Sequence, residues 1–276
     1  MTIEISNEPE SFASFEHLGW EAVSSGYEQY FVPLTQQSVV PLLDATYLAP
    51  GMALLDVCSG PGLIAAAAAR RGANATGLDF SAEAVRIARR NYADIEFQEG
   101  DAQALPFDDN RFDAVICGYG IIHVPDPAKV LSEMKRVLKP GGRMAASVWQ
   151  APAEDNGFGL MFDAINAHAD LSIPLPHGPD FFQFSDNGNL AAALEVSGLS
   201  DIKVSPVSQT WELDAPVTLV SCFMQGAVRT RGLLLAQIDP VRQQVFAAIT
   251  AGMAQYKSSD GSYRVPMPAL IGSGTK

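Results

Sequence analysis

Short apolar runs alternate with stretches of helical periodicity between Ala53 and Trp149, and no other feature limits the fold as strongly. The apolar runs have the length of buried parallel strands, and they lie at 53–57, 75–79, 95–97, 112–117 and 143–149. The clearest helical stretches between them span 63–71, 81–91 and 127–138. Strands and helices that alternate at these lengths predict an α/β fold with a doubly wound parallel sheet.

The two ends of the chain carry weaker signals. Residues 1–50 look mostly helical, whereas 151–190 are rich in glycine, proline and phenylalanine, which predicts a long irregular connection. Beyond it we expect helices at 189–196, 216–236 and 240–256, a strand pair or one bent strand at 202–213, and a final strand at 263–271. The three expected parts of one continuous domain are a helical cap, a sheet core, and the remaining strands with an inserted helical lid, at 1–45, 46–150 and 151–276.

Net charge argues against a nucleic-acid partner. The chain has 276 residues, enough for a large core, and its 31 acidic and 18 basic residues give a net charge of −13. Nucleic-acid affinity depends largely on basic side chains that neutralise phosphates. The one local basic cluster, Arg86, Arg89 and Arg90, has the spacing of a solvated helix face. A cationic face hidden by the average charge is an alternative that the sequence leaves open. The sequence also leaves the oligomeric state open.

Cysteine usage and hydropathy bear on location. Cys58, Cys117 and Cys222 are far apart and form no C-x-x-C pair, so we expect reduced thiols and no metal site. No window approaches 18 uncharged apolar residues, so no membrane span is predicted. Residues 1–10 lack a basic stretch followed by an apolar run, and no secretory signal is expected. These features predict a cytoplasmic protein.

The turn after the first predicted strand is the first candidate binding element. It reads Cys58-Ser59-Gly60-Pro61-Gly62 and falls at the carboxyl edge of the sheet, where open parallel sheets bind ligands. Gly60 and Gly62 have no Cβ, so the backbone can approach a ligand closely. Amides at the start of the next helix can bind a carboxylate or phosphate. A glycine-rich turn alone is weak, because many turns use glycine without any ligand.

Two acidic residues make the pattern more specific. Asp79 ends the second strand, 19 residues after Gly60, and its carboxylate could accept two hydrogen bonds from a ribose diol. The alternative is a surface residue before the helix that Ser81 caps. Asp101 follows the third strand and could accept a hydrogen bond from an adenine amino group. A dinucleotide enzyme also fits, but its G-x-G-x-x-G fingerprint matches G-P-G-L-I-A poorly.

Five motifs in order carry a resemblance to a known family. They read L-L-D-V-C-S-G-P-G, G-L-D-F-S, G-D-A-Q-A-L-P-F, F-D-A-V-I-C and V-L-K-P-G-G-R, over about residues 50–149. This series resembles the class I methyltransferases that use S-adenosylmethionine. It is most similar to the small-molecule group typified by the C-methyltransferases of quinone biosynthesis. Upstream, Ser25-Gly26-Tyr27-Glu28 resembles the tyrosine segment before the sheet in that group.

The resemblance implies a Rossmann-like, mostly parallel sheet of seven strands and assigns roles by position. Gly60 would pass under the methionine part, Asp79 would hold the ribose hydroxyls, and Phe80 would lie against the adenine face. Asp101 would meet the adenine edge, and Cys117 would flank the methionine segment. The cofactor-binding residues that it implies are Tyr27, Asp56, Cys58, Ser59, Gly60, Gly62, Asp79, Phe80, Asp101, Ala102, Gln103, Cys117 and Gly118.

The methyl acceptor is less constrained. Methyl transfer needs aligned reactants and exclusion of water, and a neutral hydroxyl or acidic carbon acceptor also needs a base. His123, in the loop after the fourth strand, is the best-placed candidate, with a structural histidine as the alternative. Tyr119 and Trp149 end strands and are candidate pocket walls or core residues. A small, largely apolar acceptor, methylated on oxygen, nitrogen or carbon, is suggested by Phe158, Phe162, Phe181, Phe182, Phe184, Trp211, Phe223, Met224 and Met253.

The main hypothesis is therefore a methyltransferase of small molecules that uses S-adenosylmethionine. Three alternatives stay open. One is a protein that binds the cofactor without turnover, and another is an NAD-dependent oxidoreductase. The third is a methyltransferase of protein or RNA, and the acidic charge argues against the RNA version.

Overall fold

The computed structural model describes residues 11–276. The predicted absence of a secretory signal concerns residues 1–10, which lie outside the described residues. The strands are β1 (Ala53–Val57), β2 (Asn74–Asp79), β3 (Glu96–Glu99), β4 (Phe112–Gly118), β5 (Leu138–Trp149), β6 (Ser200–Val207), β7 (Thr210–Leu213), β8 (Tyr263–Pro266) and β9 (Ala269–Thr275). The α-helices are α1 (Phe12–Tyr30), α2 (Val32–Thr35), α3 (Val39–Ala45), α4 (Leu63–Arg70), α5 (Ala82–Asn91), α6 (Pro127–Val137), α7 (Gly157–His168), α8 (Asn187–Val196), α9 (Thr218–Gly226), α10 (Val228–Ala236) and α11 (Asp239–Gly252).

Seven strands form the main sheet, in the order β3-β2-β1-β4-β5-β9-β6. The first five in that order are parallel, and β9 runs antiparallel to both β5 and β6. Leu55 and Val57 of β1 belong to one buried cluster and Leu54 to another, because side chains alternate between faces and both faces are covered. The predicted seven-stranded, mostly parallel sheet is confirmed.

Local signals begin and end the helices of the core where the sequence predicts. Ser81 Oγ accepts a hydrogen bond of 3.1 Å from the N–H of Ala84 at the start of α5. Asp126 Oδ1 does the same for the N–H of Lys129 in α6, at 2.9 Å. Gly72 follows α4 with φ +84°, the left-handed conformation that ends many helices. These caps fix where the helices begin and end between the strands.

The prediction of a long irregular connection over 151–190 is wrong for residues 157–168, because Gly157–His168 form helix α7, whereas residues 169–186 contain no helix or strand. Asn156 caps this helix, and its Oδ1 accepts a hydrogen bond of 2.9 Å from the N–H of Gly159. Gly157 and Gly159 allow this helix to pack closely against its neighbours. A Cβ at Gly159 would lie 1.9 Å from the carbonyl oxygen of Ala153.

Several predicted boundaries in the last third of the chain are also wrong. The helix predicted at 216–236 is two helices, α9 and α10, because Ala227 between them has an extended backbone. The strand predicted at 263–271 is two strands, β8 and β9, separated at Pro268, which has no N–H for a ladder bond. Residues 202–213 form two strands rather than one bent strand, but the two do not pair with each other, since β6 lies in the main sheet whereas β7 pairs with β8. Strand β5 begins at Leu138 rather than at Arg143.

The N-terminal helices pack against the segment inserted between β6 and β9. Helix α1 contacts α9, α10 and α5, and α11 contacts α7. Phe31 after α1 lies 4.7 Å from Trp211 and 6.2 Å from Phe223, measured between ring centroids. No helix in residues 11–276 is long and apolar enough to cross a membrane.

Candidate active site

A cavity of about 950 Å³ opens at the carboxyl edge of the main sheet. Its walls come from the turns after β1, β2, β3 and β4 and from α1, α7, α9 and α10. Ligands of open parallel sheets bind at this edge. The predicted site residues that line it are Tyr27, Cys58, Ser59, Gly60, Asp79, Phe80, Asp101, Ala102, Gln103, Gly118, Tyr119, His123 and Trp149.

The turn after β1 presents bare backbone to this cavity. Cys58, Gly60 and Gly62 have φ values of +56°, +50° and +87°, so three of five residues are left-handed. A Cβ at Gly60 would meet no described protein atom within 4 Å, which means that this position faces open space. Ser59 Oγ is buried and has no hydrogen-bond partner among the described residues. The turn therefore offers both room and an unused polar atom to a ligand.

Asp79 joins the second strand to that turn. Its Oδ2 accepts a hydrogen bond of 2.8 Å from the N–H of Gly60, and its Oδ1 accepts one of 3.0 Å from the N–H of Ser81. Each carboxylate oxygen can accept a further hydrogen bond. Burial raises the pKa of Asp79 from its ordinary value, and the two backbone N–H groups oppose that change. The carboxylate thus lines the cavity in a fixed orientation.

Three predicted contact residues lie beneath the lining instead of in it. Asp56 is fully buried, and its Oδ2 accepts a hydrogen bond of 3.0 Å from the N–H of Ala65. A Cβ at Gly62 would lie 2.6 Å from Cζ of Phe97. Cys117 is fully buried in the core. These residues therefore pack behind the cavity wall and support the turn after β1.

Two thiols meet behind the turn. A Cβ at Gly120 would lie 2.7 Å from Sγ of Cys58 and 2.9 Å from Sγ of Cys117, so both sulfur atoms approach the same glycine. A hydrogen bond with Cys117, together with burial, raises the pKa of the Cys58 thiol. Cys58 is therefore a neutral thiol at the cavity wall.

The turn after β3 contributes a second polar patch. Asp101 is exposed, and its Oδ1 accepts a hydrogen bond of 2.8 Å from the N–H of Gln103. Gln103 Oε1 in turn accepts one of 3.1 Å from the N–H of Asp126. Ala102 between them is buried. Nearby, the ring of Phe80 lies 5.4 Å from that of His17.

Tyr119 is held rigidly at the far end of β4. It has φ +60°, which is rare for a non-glycine residue, and its ring stacks on Trp149 at 4.2 Å. Its hydroxyl lies 3.0 Å from Ser38 Oγ and accepts a hydrogen bond of 2.8 Å from Gln209 Nε2. Burial raises the pKa of Tyr119. Its phenol group is thus a neutral, fully engaged part of the wall.

His123 lies in the cavity wall beside a buried carboxylate that the sequence analysis missed. His123 Nδ1 lies 3.0 Å from Oε2 of Glu16, a residue of α1 that is 1% exposed. The same oxygen accepts a hydrogen bond of 3.1 Å from Trp20 Nε1. Burial alone would raise the pKa of Glu16, but His123 and Arg229 outweigh it and leave that pKa lowered. Glu16 is therefore an ionised group in the cavity wall.

Arg229 of α10 completes this cluster. Its Nε donates a hydrogen bond of 2.7 Å to Oε1 of Glu16. Its two terminal nitrogens donate to the carbonyl oxygens of Pro179, at 2.9 Å, and Ile122, at 2.7 Å. One guanidinium group thus joins α1, α10, the loop after β4 and the chain after α7.

One signal in the sequence could have found Glu16. Buried residues of α1 recur at helical spacing, and Phe12, Glu16 and Val23 share the buried face. A carboxylate at an apolar position of a helix needs a partner, because a lone buried charge is costly. Its partners are 107 and 213 residues away in the chain, so their identity was not readable.

Comparisons with known proteins agree with this architecture. The family described as a methyltransferase domain matches residues 55–146. A demethylmenaquinone methyltransferase of Renibacterium salmoninarum is 41% identical over 111 residues, which cover 40% of this chain and 47% of that protein. One of Paenarthrobacter aurescens is 38% identical over 170 residues, covering 58% of this chain and 67% of that protein. The chain spans about half the length of several curated relatives that it matches.

Solved structures share the fold. A putative methyltransferase from Bacillus halodurans superposes with a TM-score of 0.58 at 20% identity and covers 86% of this chain and 98% of that one. The [4+2]-cyclase SpnF superposes with a TM-score of 0.61 at 18% identity and covers 97% of both chains. The sequence matches and the shared fold together show that this chain belongs to the class I S-adenosylmethionine-dependent methyltransferases and is similar to the demethylmenaquinone methyltransferases.

Proposed function

We propose that this protein transfers a methyl group from S-adenosylmethionine to a small, largely apolar acceptor. The observation that carries the proposal is that one cavity is lined both by the glycine turn with Asp79 and by an aromatic wall around His123. Such a cavity can hold donor and acceptor side by side and keep water away from both.

The glycine turn and the residues after β2 and β3 fit the donor. Gly60 leaves room for a ligand along the backbone, and the unpaired Ser59 Oγ supplies a hydrogen-bonding atom there. Asp79 supplies the carboxylate that would bind two ribose hydroxyls. Phe80 and Ala102 would hold the adenine between them, with Asp101 at its edge. When bound, the cofactor supplies a methyl group that its sulfonium already activates.

The aromatic wall suits an apolar acceptor. The cavity is lined there by Trp20, Trp149 and Phe158, and the ring of Phe158 lies 5.4 Å from that of Phe182. Aromatic walls bind flat apolar molecules through area and ring geometry. Residues 11–45 of the cap, the end of β5, α7 and the inserted helices all contribute to the lining of the cavity, and we propose that cap, lid and core act as one unit.

Two properties of the whole protein belong to the same proposal. A cytoplasmic location is proposed from the three free thiols of Cys58, Cys117 and Cys222. An acceptor other than nucleic acid is proposed from the net charge of −13, which repels a phosphate backbone.

Calorimetry and labelling test the function. We expect S-adenosylhomocysteine to bind and NAD not to bind, and the reverse result would overturn the assignment in favour of an oxidoreductase. Metabolite extracts incubated with protein and methyl-labelled donor should then yield a labelled small molecule, which mass spectrometry identifies. Tight S-adenosylhomocysteine binding without labelled product across broad extracts would indicate a binding protein instead.

A further inference from the structure

The Glu16–His123 pair lies in the cavity, and the donor-binding residues do not need it. Glu16 is a carboxylate with a lowered pKa, so at neutral pH it is ionised and can only accept hydrogen bonds. Its three side-chain partners, Trp20, Arg229 and His123, all approach as donors. The proton of a neutral His123 ring therefore lies on Nδ1.

This arrangement leaves the other ring nitrogen free. With the proton on Nδ1, Nε2 of a neutral imidazole carries a lone pair and can take up a proton. Within residues 11–276, Nε2 of His123 has no hydrogen-bond partner, and the side chain is 17% exposed at the cavity wall. A hydrogen-bonded carboxylate also stabilises the imidazolium that forms when the proton arrives.

The surroundings of His123 favour an uncharged aromatic partner. Trp20 and Phe181 lie edge-on to its ring, at 4.9 Å and 5.5 Å between centroids. Glu16 and Arg229 form an ion pair, so their charges offset each other beside the His123 ring. The other titratable side chains that line the cavity are His17, Tyr27, Cys58, Asp79, Glu99, Asp101, Tyr119 and Asp180, and none of them has a hydrogen bond to His123.

We propose that Glu16 is a positioning residue that fixes the tautomer of His123, and that Nε2 of His123 takes the proton of an aromatic hydroxyl group on the acceptor. This inference rests on the proposed function and names the acceptor class as hydroxylated aromatic compounds. The O–H bond breaks and its proton goes to Nε2. The oxygen lone pair forms the new bond to the methyl carbon, and the electrons of the old carbon–sulfur bond stay on sulfur, which loses its positive charge. The imidazolium then releases the proton to water.

The tautomer can be measured without donor or acceptor. In long-range ¹H–¹⁵N spectra of the labelled protein, we expect His123 to show a protonated Nδ1 and a bare Nε2. The chain has four histidines, and the H123Q variant assigns the signal. In E16Q, Arg229 should keep the amide oxygen, so the amide NH₂ would face Nδ1 and move the proton to Nε2. A bare Nδ1 in the native protein, or an unchanged tautomer in E16Q, would overturn the role of Glu16.

A matched control lies five residues further along the same helix. Glu21 pairs with His17 at 3.9 Å, both side chains are partly exposed, and Glu21 is outside the cavity lining. E21Q removes the same charge from the same helix and should leave the His123 signal unchanged. E16D keeps the charge with a shorter side chain, so His123 should retain its Nδ1 proton in this variant. If E16Q does not fold, E16D is the variant to measure.

Kinetics test the proton transfer itself. Methyl-labelled donor is offered with hydroxylated naphthalenes and with the corresponding aminonaphthalenes, which have the same size. We expect methyl ethers from the hydroxyl compounds only, and E16Q should slow their formation by about 10²- to 10⁴-fold, the usual contribution of a general base. The rise of rate with pH should move to lower pH in E16Q, because His123 loses the negative neighbour that stabilises its protonated form. E16D should recover part of the rate.

The outcomes separate the two proposals. If the native protein does not bind S-adenosylhomocysteine, the proposed function is overturned. If that binding is intact, then methylation on nitrogen or ring carbon, or no methylation of any hydroxyl probe, would overturn the acceptor class. If E16Q is slower but its pH profile does not move, Glu16 has only a structural role. If E16Q binds S-adenosylhomocysteine with unchanged affinity and its pH profile shifts, the result supports Glu16 as the residue that positions His123.

Discussion

Oδ2 of Asp79 accepts a hydrogen bond of 2.8 Å from the backbone N–H of Gly60, although the two residues are 19 positions apart. This bond joins the end of β2 to the turn after β1, the two elements that would hold a nucleoside. The carboxylate is buried, so its orientation is set before any ligand arrives. Preorganisation of this kind lowers the cost of binding, because the ligand does not have to order the group.

Replacement of Asp79 should weaken cofactor binding. In D79A the ribose hydroxyls lose their acceptor, and the affinity for S-adenosylhomocysteine should fall by roughly 1.5–3 kcal/mol, the range for hydrogen bonds to a charged group. Isothermal calorimetry measures the change. The control is D113A, because Asp113 Oδ2 also accepts a backbone hydrogen bond, 2.8 Å from the N–H of Ala53, near the start of β4 and outside the cavity lining. Equal losses in both variants would remove Asp79 from the site.

The two glycines of the turn should separate binding from folding. G60A places a methyl group in open space, so it should weaken S-adenosylhomocysteine binding, while the left-handed backbone costs only about 1–2 kcal/mol of stability. G62A drives its methyl group to 2.6 Å from Phe97 and should cost more stability than G60A. Urea unfolding and calorimetry on both variants give the comparison. A G62A protein as stable as G60A would contradict the packing argument.

Asp56 should make the protein less stable as the pH rises. Burial raises its pKa to about 8, from 3.8 for an ordinary aspartate, so the native state holds a proton that the unfolded chain has released between these values. Unfolding then releases a proton, and the free energy of unfolding falls by up to about 1.4 kcal/mol per pH unit in this window.

D56N removes that titrating group, so urea unfolding from pH 5 to pH 8 should show a flatter decline than in the native protein. D108N, at an exposed position, removes one charge from the surface and should keep the native slope. Parallel slopes for the native protein and D56N would show that Asp56 is not protonated in the folded state.

Ligand should protect Cys58 from alkylation. The raised pKa of this thiol predicts slow reaction with iodoacetamide at neutral pH that accelerates as the pH rises. Saturating S-adenosylhomocysteine should slow it further, because Cys58 lines the cavity. Peptide mass spectrometry reads each thiol separately, and the fully buried Cys222 should stay unmodified throughout. Equal rates for Cys58 with and without ligand would place the ligand elsewhere.

Local rules predicted the core of the sheet well, because its signals lie within a few residues of each other. Ser81 and Asp126 cap helices through bonds three residues away, and the apolar runs of β1 and β4 are buried as their composition requires. The same rules failed at α7. Gly157 and Gly159 allow this helix to pack closely against its neighbours, but two glycines so near each other also resemble the composition of a loop.

Local rules could not predict residue pairs that come together only when distant parts of the chain pack against each other. Glu16 and Arg229 are 213 residues apart, and neither has a motif that names its partner. Gln209, which donates to Tyr119, is 90 residues from it. The part of the cavity formed by the strand ends follows their order in the chain and is predictable, whereas the part around His123 depends on how α1 and the inserted helices meet.

Arg229 should be the residue that holds these parts together. Its guanidinium donates to Glu16 and to two backbone carbonyls, so R229M leaves a buried carboxylate without its charged partner and should cost about 3–5 kcal/mol of stability. R231M, on the same helix, removes an arginine that has no ion pair within residues 11–276, and it should cost far less. Urea unfolding at pH 7 compares them. Similar losses would mean that helix propensity, rather than the Glu16 contact, explains the effect, whereas a loss confined to R229M identifies this one side chain as the link between α1, α10 and the core.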